Sequence, residues 1–316
     1  DNIATMSELK NKNLFENDEI NLYELFKTFW DSKWLILSIT TASCIFIVLY
    51  SLSIPNIYRS SALVMPAQSQ GSNVSGALSG LGGLASMAGL SIPSGNSNNK
   101  EEAIAVLTSH QFLEDFIINN DILLPLMASK GWDAKKNELI LNPKIYDIKN
   151  KKWIGKSSSK TNAPTIQEAV RSFRQIYIVS ENKKNGFVTI SIDFYSPYVS
   201  KEWIDLIIEN INETMRVQAV SMATSSLNYL NDQINKTNIS EIKIVLSELA
   251  KSETQKIMLS KSSPEYVFKT IDKAFAPEIK ISPRRSIICI IGALVGFSLS
   301  LLISILLRLR KEKNSS

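Results

Sequence analysis

Two apolar runs without a single charged residue, near opposite ends of the chain, constrain this sequence more than anything else in it. They are Trp34 to Ile54 (WLILSITTASCIFIVLYSLSI) and Ser286 to Leu307 (SIICIIGALVGFSLSLLISILL), and neither contains Asp, Glu, Lys, Arg or His. About 20 helical residues cross a hydrocarbon core of about 30 Å. A charge at the bilayer centre costs at least about 2.5 kcal/mol, so two clean runs of this length are a strong membrane signal. About 230 mostly polar residues lie between them. The expected plan is a domain held beside a membrane by two anchors, both entering from one side.

Composition narrows the class. The net charge is +5, with 35 basic against 30 acidic residues. Such near balance does not point to nucleic acid, which usually calls for a concentrated basic stripe. Cys44 and Cys289 both lie inside the apolar runs, so the domain between them has no thiols and needs no disulfides. The first run is too long and too far in for a cleaved signal peptide, and is expected to be a retained anchor. Orientation follows flanking Lys and Arg. Arg308, Arg310, Lys311 and Lys313 stand against one Glu312 and favour a cytoplasmic C-terminus. Lys27 and Lys33 are offset by Glu24 and Asp31, and Arg284 and Arg285 argue mildly the other way. Both termini are therefore expected inside, with the large domain periplasmic in a Gram-negative cell, on an inner membrane crossed twice.

The expected boundaries are a cytoplasmic segment over 1–33, a first anchor over 34–54, the outer domain over 55–285, a second anchor over 286–307 and a tail over 308–316. Ile20 to Trp34 is amphipathic and is either a helix lying at the interface or a continuation of the anchor. Ile57 to Met65 is a predicted strand. Residues 68–99 form an uncharged Gly/Ser-rich stretch, expected to be a flexible loop; Leu78, Leu81, Leu84, Met87 and Leu90 recur there at threes and offer a docking stripe. Glu101 to Asn119 is a predicted helix with Asn99 as cap, in which Phe112 is one step out of period. Lys135 to Ser159 is basic and polar, with short strands expected around Trp153. Thr165 and Glu168 form a capping box for a helix to Gln175. Ile176–Ser180 and Gly186–Tyr195 are a predicted hairpin.

From Ser196-Pro197 a helical period runs without Gly or Pro past Ile234, for about 38 residues or about 55 Å. Residues 236–238 break it, and Ile239 to Ser260 is a predicted return helix, so that 197–262 forms a long helical hairpin. Tyr266 to Phe275 is a last predicted strand, followed by Pro277 and Pro283. The first and last strands both adjoin the membrane and are expected to pair. The fold class is α+β: a membrane-proximal base, a long projecting helix with a shorter return helix, and two flanking transmembrane helices.

Catalytic signals are weak. The single histidine, His110, is expected to be a surface helix residue. Gly155-Lys156-Ser157 imitates the end of a P-loop, but Asn150 stands where glycine is required. Gly80-x-Gly82-x-x-Ala85 imitates a dinucleotide fingerprint without a preceding strand. No catalytic residue, cofactor or metal is expected. Asn73, Asn212 and Asn238 open glycosylation-like tripeptides, which a bacterial setting makes uninformative. One membrane pattern stands out. Gly292, Gly296, Ser300 and Ser304 recur at fours on the second anchor, and small residues at this spacing let helix backbones approach. The partner of that stripe is the first anchor, a second copy of the chain or another membrane protein.

The chain resembles the Wzz-type chain-length determinants, the polysaccharide co-polymerases. The resemblance rests on the two-anchor plan, the Pro55-x-x-Tyr58 exit strand, the uncharged Gly-rich stretch before Glu101, Leu227-Asn-Tyr-Leu230, Thr254-x-x-Ile257-Met-Leu259, and above all Pro264-Glu-Tyr-Val-Phe-Lys-Thr-Ile-Asp272 leading to Pro277 and Pro283-Arg284-Arg285. The proline spacing ahead of the second anchor is looser than in the family's densest examples. The resemblance implies a periplasmic α/β base, a long helix, and a ring or bell of roughly six to nine identical chains, with eight expected. It implies control of O-antigen or related polysaccharide length beside a membrane polymerase and the growing lipid-linked polysaccharide, with no nucleic acid. Some relatives carry a cytoplasmic tyrosine-kinase domain; nine residues follow the second anchor here, so the kinase-free type is expected. Ile207, Ile211, Met215, Leu227, Leu230 and Ile234 are the expected oligomer wall, and Pro277, Pro283, Arg284 and Arg285 the expected juxtamembrane contact. The alternatives are a capsule or exopolysaccharide export component and a two-helix sensor or receptor, for which an output domain is wanting.

Overall fold

The structure is a computed structural model and describes residues 30, 33–67, 98–154 and 162–313. The expected Gly/Ser-rich loop, the fingerprint imitation at Gly80, the Gly155-Lys156-Ser157 imitation and nearly all of the N-terminal segment lie outside the described residues. Two compact units are present. Among the described residues, one comprises those up to Ile54 together with those from Ser282 onward, and the other those from Pro55 to Ile281.

The first unit is a pair of helices, α1 (Lys33–Ser53) and, at the far end of the chain, α8 (Arg285–Lys313). Both contain spans apolar and long enough to cross a membrane, Lys33–Ser53 and Arg285–Leu307. They are not core helices of a soluble protein, because Phe46 is 71% exposed and Leu294 65% exposed. An apolar surface of that kind belongs against lipid rather than water.

The second unit is built on a four-stranded antiparallel sheet. Its strands are β1 (Tyr58–Pro66), β6 (Tyr177–Asn182), β7 (Phe187–Phe194) and β8 (Phe268–Asp272), in the spatial order β6-β7-β1-β8. The first and last strands pair as expected, Pro66 opposite Phe268 and Val64 opposite Thr270, with a bulge between Leu63 and Val64. On its other side β1 pairs β7, with Ala62 opposite Ile190 and Val64 opposite Val188. Alternation puts Ser60, Ala62, Val64, Val188, Ile190 and Ile192 on one buried face.

Helices cover that face. The sequence's single helix over 101–119 is two, α2 (Asn98–Thr108) and α3 (His110–Asn119). Ser109 separates them: its hydroxyl accepts from the Phe112 amide and caps α3. The one-step slip at Phe112 was the trace of this break. Because α2 already begins at Asn98, Asn99 lies inside the first turn and does not cap it. A short helix α4 (Leu123–Ala128) then leads into a small hairpin, β2 (Ser129–Asp133) and β3 (Glu138–Leu141), and a second, β4 (Tyr146–Asp147) and β5 (Lys152–Trp153). Next, α5 (Ile166–Ile176) starts at the complete capping box of Thr165 and Glu168. Phe173 of α5 lies 5.4 Å from Phe116 and 5.9 Å from Trp203, ring centre to ring centre.

The long helix α6 (Pro197–Lys236) begins where Ser196 caps it, with Pro197 at its first position. Its first half carries Trp203, Ile204, Ile207, Ile208, Ile211 and Met215 into the core. Beyond Met215 only Ala223 is buried, and the second half runs on as an arm packed against the return helix α7 (Ser240–Ser262).

Candidate functional site: the helix pair and the arm

In the helix pair, Gly292, Gly296, Ser300 and Ser304 are all buried on α8. The stripe faces α1. A Cβ added at Gly296 would fall 2.6 Å from Ser43 Cβ, and one added at Gly292 would overlap the Ile47 side chain. Contacts this short are sterically forbidden, so only glycine permits this approach of the two backbones. Thr40 Oγ1 donates to Ser300 Oγ at 3.4 Å, and the Ser300 hydroxyl in turn donates to the Phe297 carbonyl at 2.6 Å. Of the three partners left open by the sequence, the first anchor is the one the structure brings together with the stripe. The residues it contributes, Thr40, Ser43 and Ile47, went unnoticed in the sequence. Small residues recur throughout that run, Ser38, Thr41, Ala42 and Cys44 among them, so nothing in the sequence singles these positions out.

In the domain, one polar residue joins long helix to sheet. Asn212 is 4% exposed. Its Nδ2 donates to the Ile208 and Phe268 carbonyls, each at 3.0 Å, and its Oδ1 accepts from the Val267 and Phe268 amides, each at 2.9 Å. All four hydrogen bonds an amide side chain commonly makes are satisfied. Asn212 therefore pins the entry of β8 to α6, and its tripeptide cannot serve as a sugar acceptor while buried. After β8 the chain returns beside β1. Ser60 Oγ donates to the Phe275 carbonyl at 2.7 Å, Ile281 N to the Ile57 carbonyl at 2.9 Å, and Lys280 Nζ to Asn56 Oδ1 at 3.1 Å. The two segments that lead to the two anchors are thus stitched side by side within the domain. Pro277 is half-buried along this return; Pro283 is buried, Arg284 exposed and Arg285 half-buried in the first unit.

The expected oligomer wall needs correction. Ile207 and Ile211 are fully buried and Met215 is 5% exposed, all within the domain's own core. Leu227, Leu230 and Ile234 are half-buried on the arm, on the helix against which α7 packs. The apolar period of the first half of α6 marks its seam with the domain's own core, and not an outer face. The outer apolar side chains of the arm are others: Val217, Met222 and Tyr229 on α6, and Ile244, Val245 and Met258 on α7, of which Ile244 is 70% exposed.

Few groups carry chemistry. His110 opens α3 rather than sitting mid-helix, half exposed and 3.6 Å from Glu114. Among the described residues no group of three or more His, Cys, Asp or Glu could hold a metal. Arg59 and Asp193, directly opposite across β1 and β7, make a two-point ion pair with both contacts at 2.6 Å. The Asp193 hydrogen bond raises the Arg59 pKa further above its ordinary value. Burial pushes the Tyr177 hydroxyl pKa up from its ordinary value. Both are structural features of the sheet.

Residues 18–120 match the family model described as "Wzz: Chain length determinant protein". A solved full-length bacterial polysaccharide co-polymerase aligns over 95% of this chain and 100% of its own, at 12% identity and a TM-score of 0.43. A fragment of WzzB, a polysaccharide co-polymerase from Salmonella Typhimurium, aligns over 72% of this chain and 100% of its own, at 12% identity and a TM-score of 0.30. At these scores neither structure carries an argument beyond the likeness itself. No curated protein matches the chain.

Proposed function

From the Wzz chain length determinant segment at residues 18–120, we propose that this protein regulates the chain length of a bacterial surface polysaccharide, O-antigen or a related polymer, beside a membrane polymerase. The single observation that carries this reading is that family match, and it coincides with the first membrane helix and the exit strand β1. The protein makes no sugar linkage itself. It acts by geometry, as a scaffold that holds the polymerase and the growing lipid-linked chain. It resides in the inner membrane with both termini in the cytoplasm and the domain in the periplasm, which the basic residues after Leu307 support.

Copies of the chain assemble, roughly six to nine in a ring with eight expected. The outer apolar side chains of the arm support this, because two helices alone leave Met222, Tyr229 and Ile244 facing solvent. The test is substitution on that face. Met222→Glu with Tyr229→Glu places charges in the proposed interface while touching no core residue. The expected outcome is a detergent-solubilised particle reduced to monomers by mass measurement, with sugar linkage intact and the modal length shifted. His110→Ala is expected to leave length unchanged. A double variant that keeps both the wild-type mass and the wild-type modal length contradicts the arm as the assembly face.

A further inference from the structure

The two small hairpins β2–β3 and β4–β5 form a lobe whose charge is unlike that of the rest of the molecule. Between residues 129 and 154 there are seven lysines and three carboxylates, a net +4 in a chain whose total is +5. Every one of the seven lysines is exposed, and none forms an ion pair among the described residues. Two of the three carboxylates are turned into their own loops. Asp133 accepts from the amides of Lys135 and Lys136, and Asp147 from those of Lys149 and Asn150. These turns hold the lysine backbones at the two hairpin tips.

Apolar side chains stand out among these cations. Ile148 is 61% exposed, Ile154 51% and Ile140 41%. Isoleucine on a turn flanked by lysines gains nothing in water, whereas a cationic surface with protruding apolar side chains is suited to the headgroup boundary of an anionic bilayer. The lobe is also tied to the right part of the domain. The Trp132 ring of β2 lies 5.6 Å from Tyr58 and 6.0 Å from Tyr198. Tyr58 follows the end of α1 at Ser53 by five positions, and five extended residues span at most about 18 Å.

We propose that the 129–154 lobe is a peripheral membrane contact, which lies on anionic lipid headgroups with Lys135, Lys136, Lys149, Lys151 and Lys152 toward the phosphates and Ile148 entering the boundary. A lysine-rich surface near such a membrane is drawn to it additively, each cation contributing, and the attraction is screened by salt. The contact rests on the anchoring of the chain in a membrane and is independent of any role in sugar length.

The test uses the full chain in lipid nanodiscs, with backbone amide exchange as the readout. Residues 133–138 and 147–152 are expected to exchange about tenfold more slowly in discs containing phosphatidylglycerol than in discs of phosphatidylcholine alone, and molar salt should remove the difference. Replacing the five named lysines with glutamine should make the two disc types equivalent while exchange in β7 stays unchanged. Equal rates for the unsubstituted chain in both discs overturn the proposal, as does protection that survives the five substitutions. Protection that appears only when lipid-linked polysaccharide is added to neutral discs overturns it in favour of the sugar chain as occupant.

Discussion

Replacing Asn212 with alanine is expected to lower the unfolding free energy of the domain by about 3 to 5 kcal/mol, among the largest effects a single substitution produces. The change removes four hydrogen bonds of 2.9 to 3.0 Å at a site almost closed to water. It leaves the Val267 and Phe268 amides and the Phe268 carbonyl without their partner beside fully buried Phe268. Asn212→Asp is the informative companion. Its carboxylate still accepts from both amides, but it faces the Ile208 and Phe268 carbonyl oxygens with no proton to offer, so its loss should equal or exceed that of alanine. Denaturant unfolding of the detergent-solubilised chain measures both. A loss below about 1 kcal/mol for alanine would show that β8 is held by packing alone.

Gly296→Leu is expected to part the two membrane helices. Even a methyl group at this position meets Ser43, and a leucine must push the backbones apart, since lipid offers no hydrophobic force to hold them. A direct readout exists because the Thr40 and Ser300 hydroxyls are 3.4 Å apart. With Cys44 and Cys289 changed to serine, Thr40→Cys and Ser300→Cys should crosslink readily under oxidation. Adding Gly296→Leu should reduce that crosslink about tenfold, and the same substitution alone should disturb polymer length at normal expression. Unchanged crosslinking and unchanged length together would make the stripe incidental to both.

These two sites differ in how visible they were beforehand. The glycine stripe is legible because spacing by four in an apolar helix is a physical pattern in itself. The long hairpin was legible because 39 residues without Gly or Pro follow Pro197, and the break expected at 236–238 leaves little else to form. The pairing of β1 with β8 followed from both strands adjoining the anchors. By contrast, Asn212 looked like an unremarkable polar position on a helix, because its partners in β8 lie 55 and 56 residues away. The wall residues misled for a related reason. Period alone cannot say whether an apolar stripe meets the chain's own sheet, its own return helix or a second copy, and Ile207, Ile211 and Met215 meet the first of these. The break at Ser109 left only the one-step slip at Phe112 as its trace, because a capping serine inside a helical run has no period of its own. The basic character of the 129–154 lobe was legible from Lys135 onward, but the exposure of Ile148 and Ile154 beside those lysines was not.

The proposed role is control of polymer length, apart from the making or export of the polymer. The sugar ladder of a strain lacking the protein, resolved on a gel, tests it most directly. The expected result is loss of the modal cluster of lengths with short chains still linked and displayed, restored when the intact chain is returned. Complete loss of surface polymer would contradict it and would place the protein in synthesis or export instead.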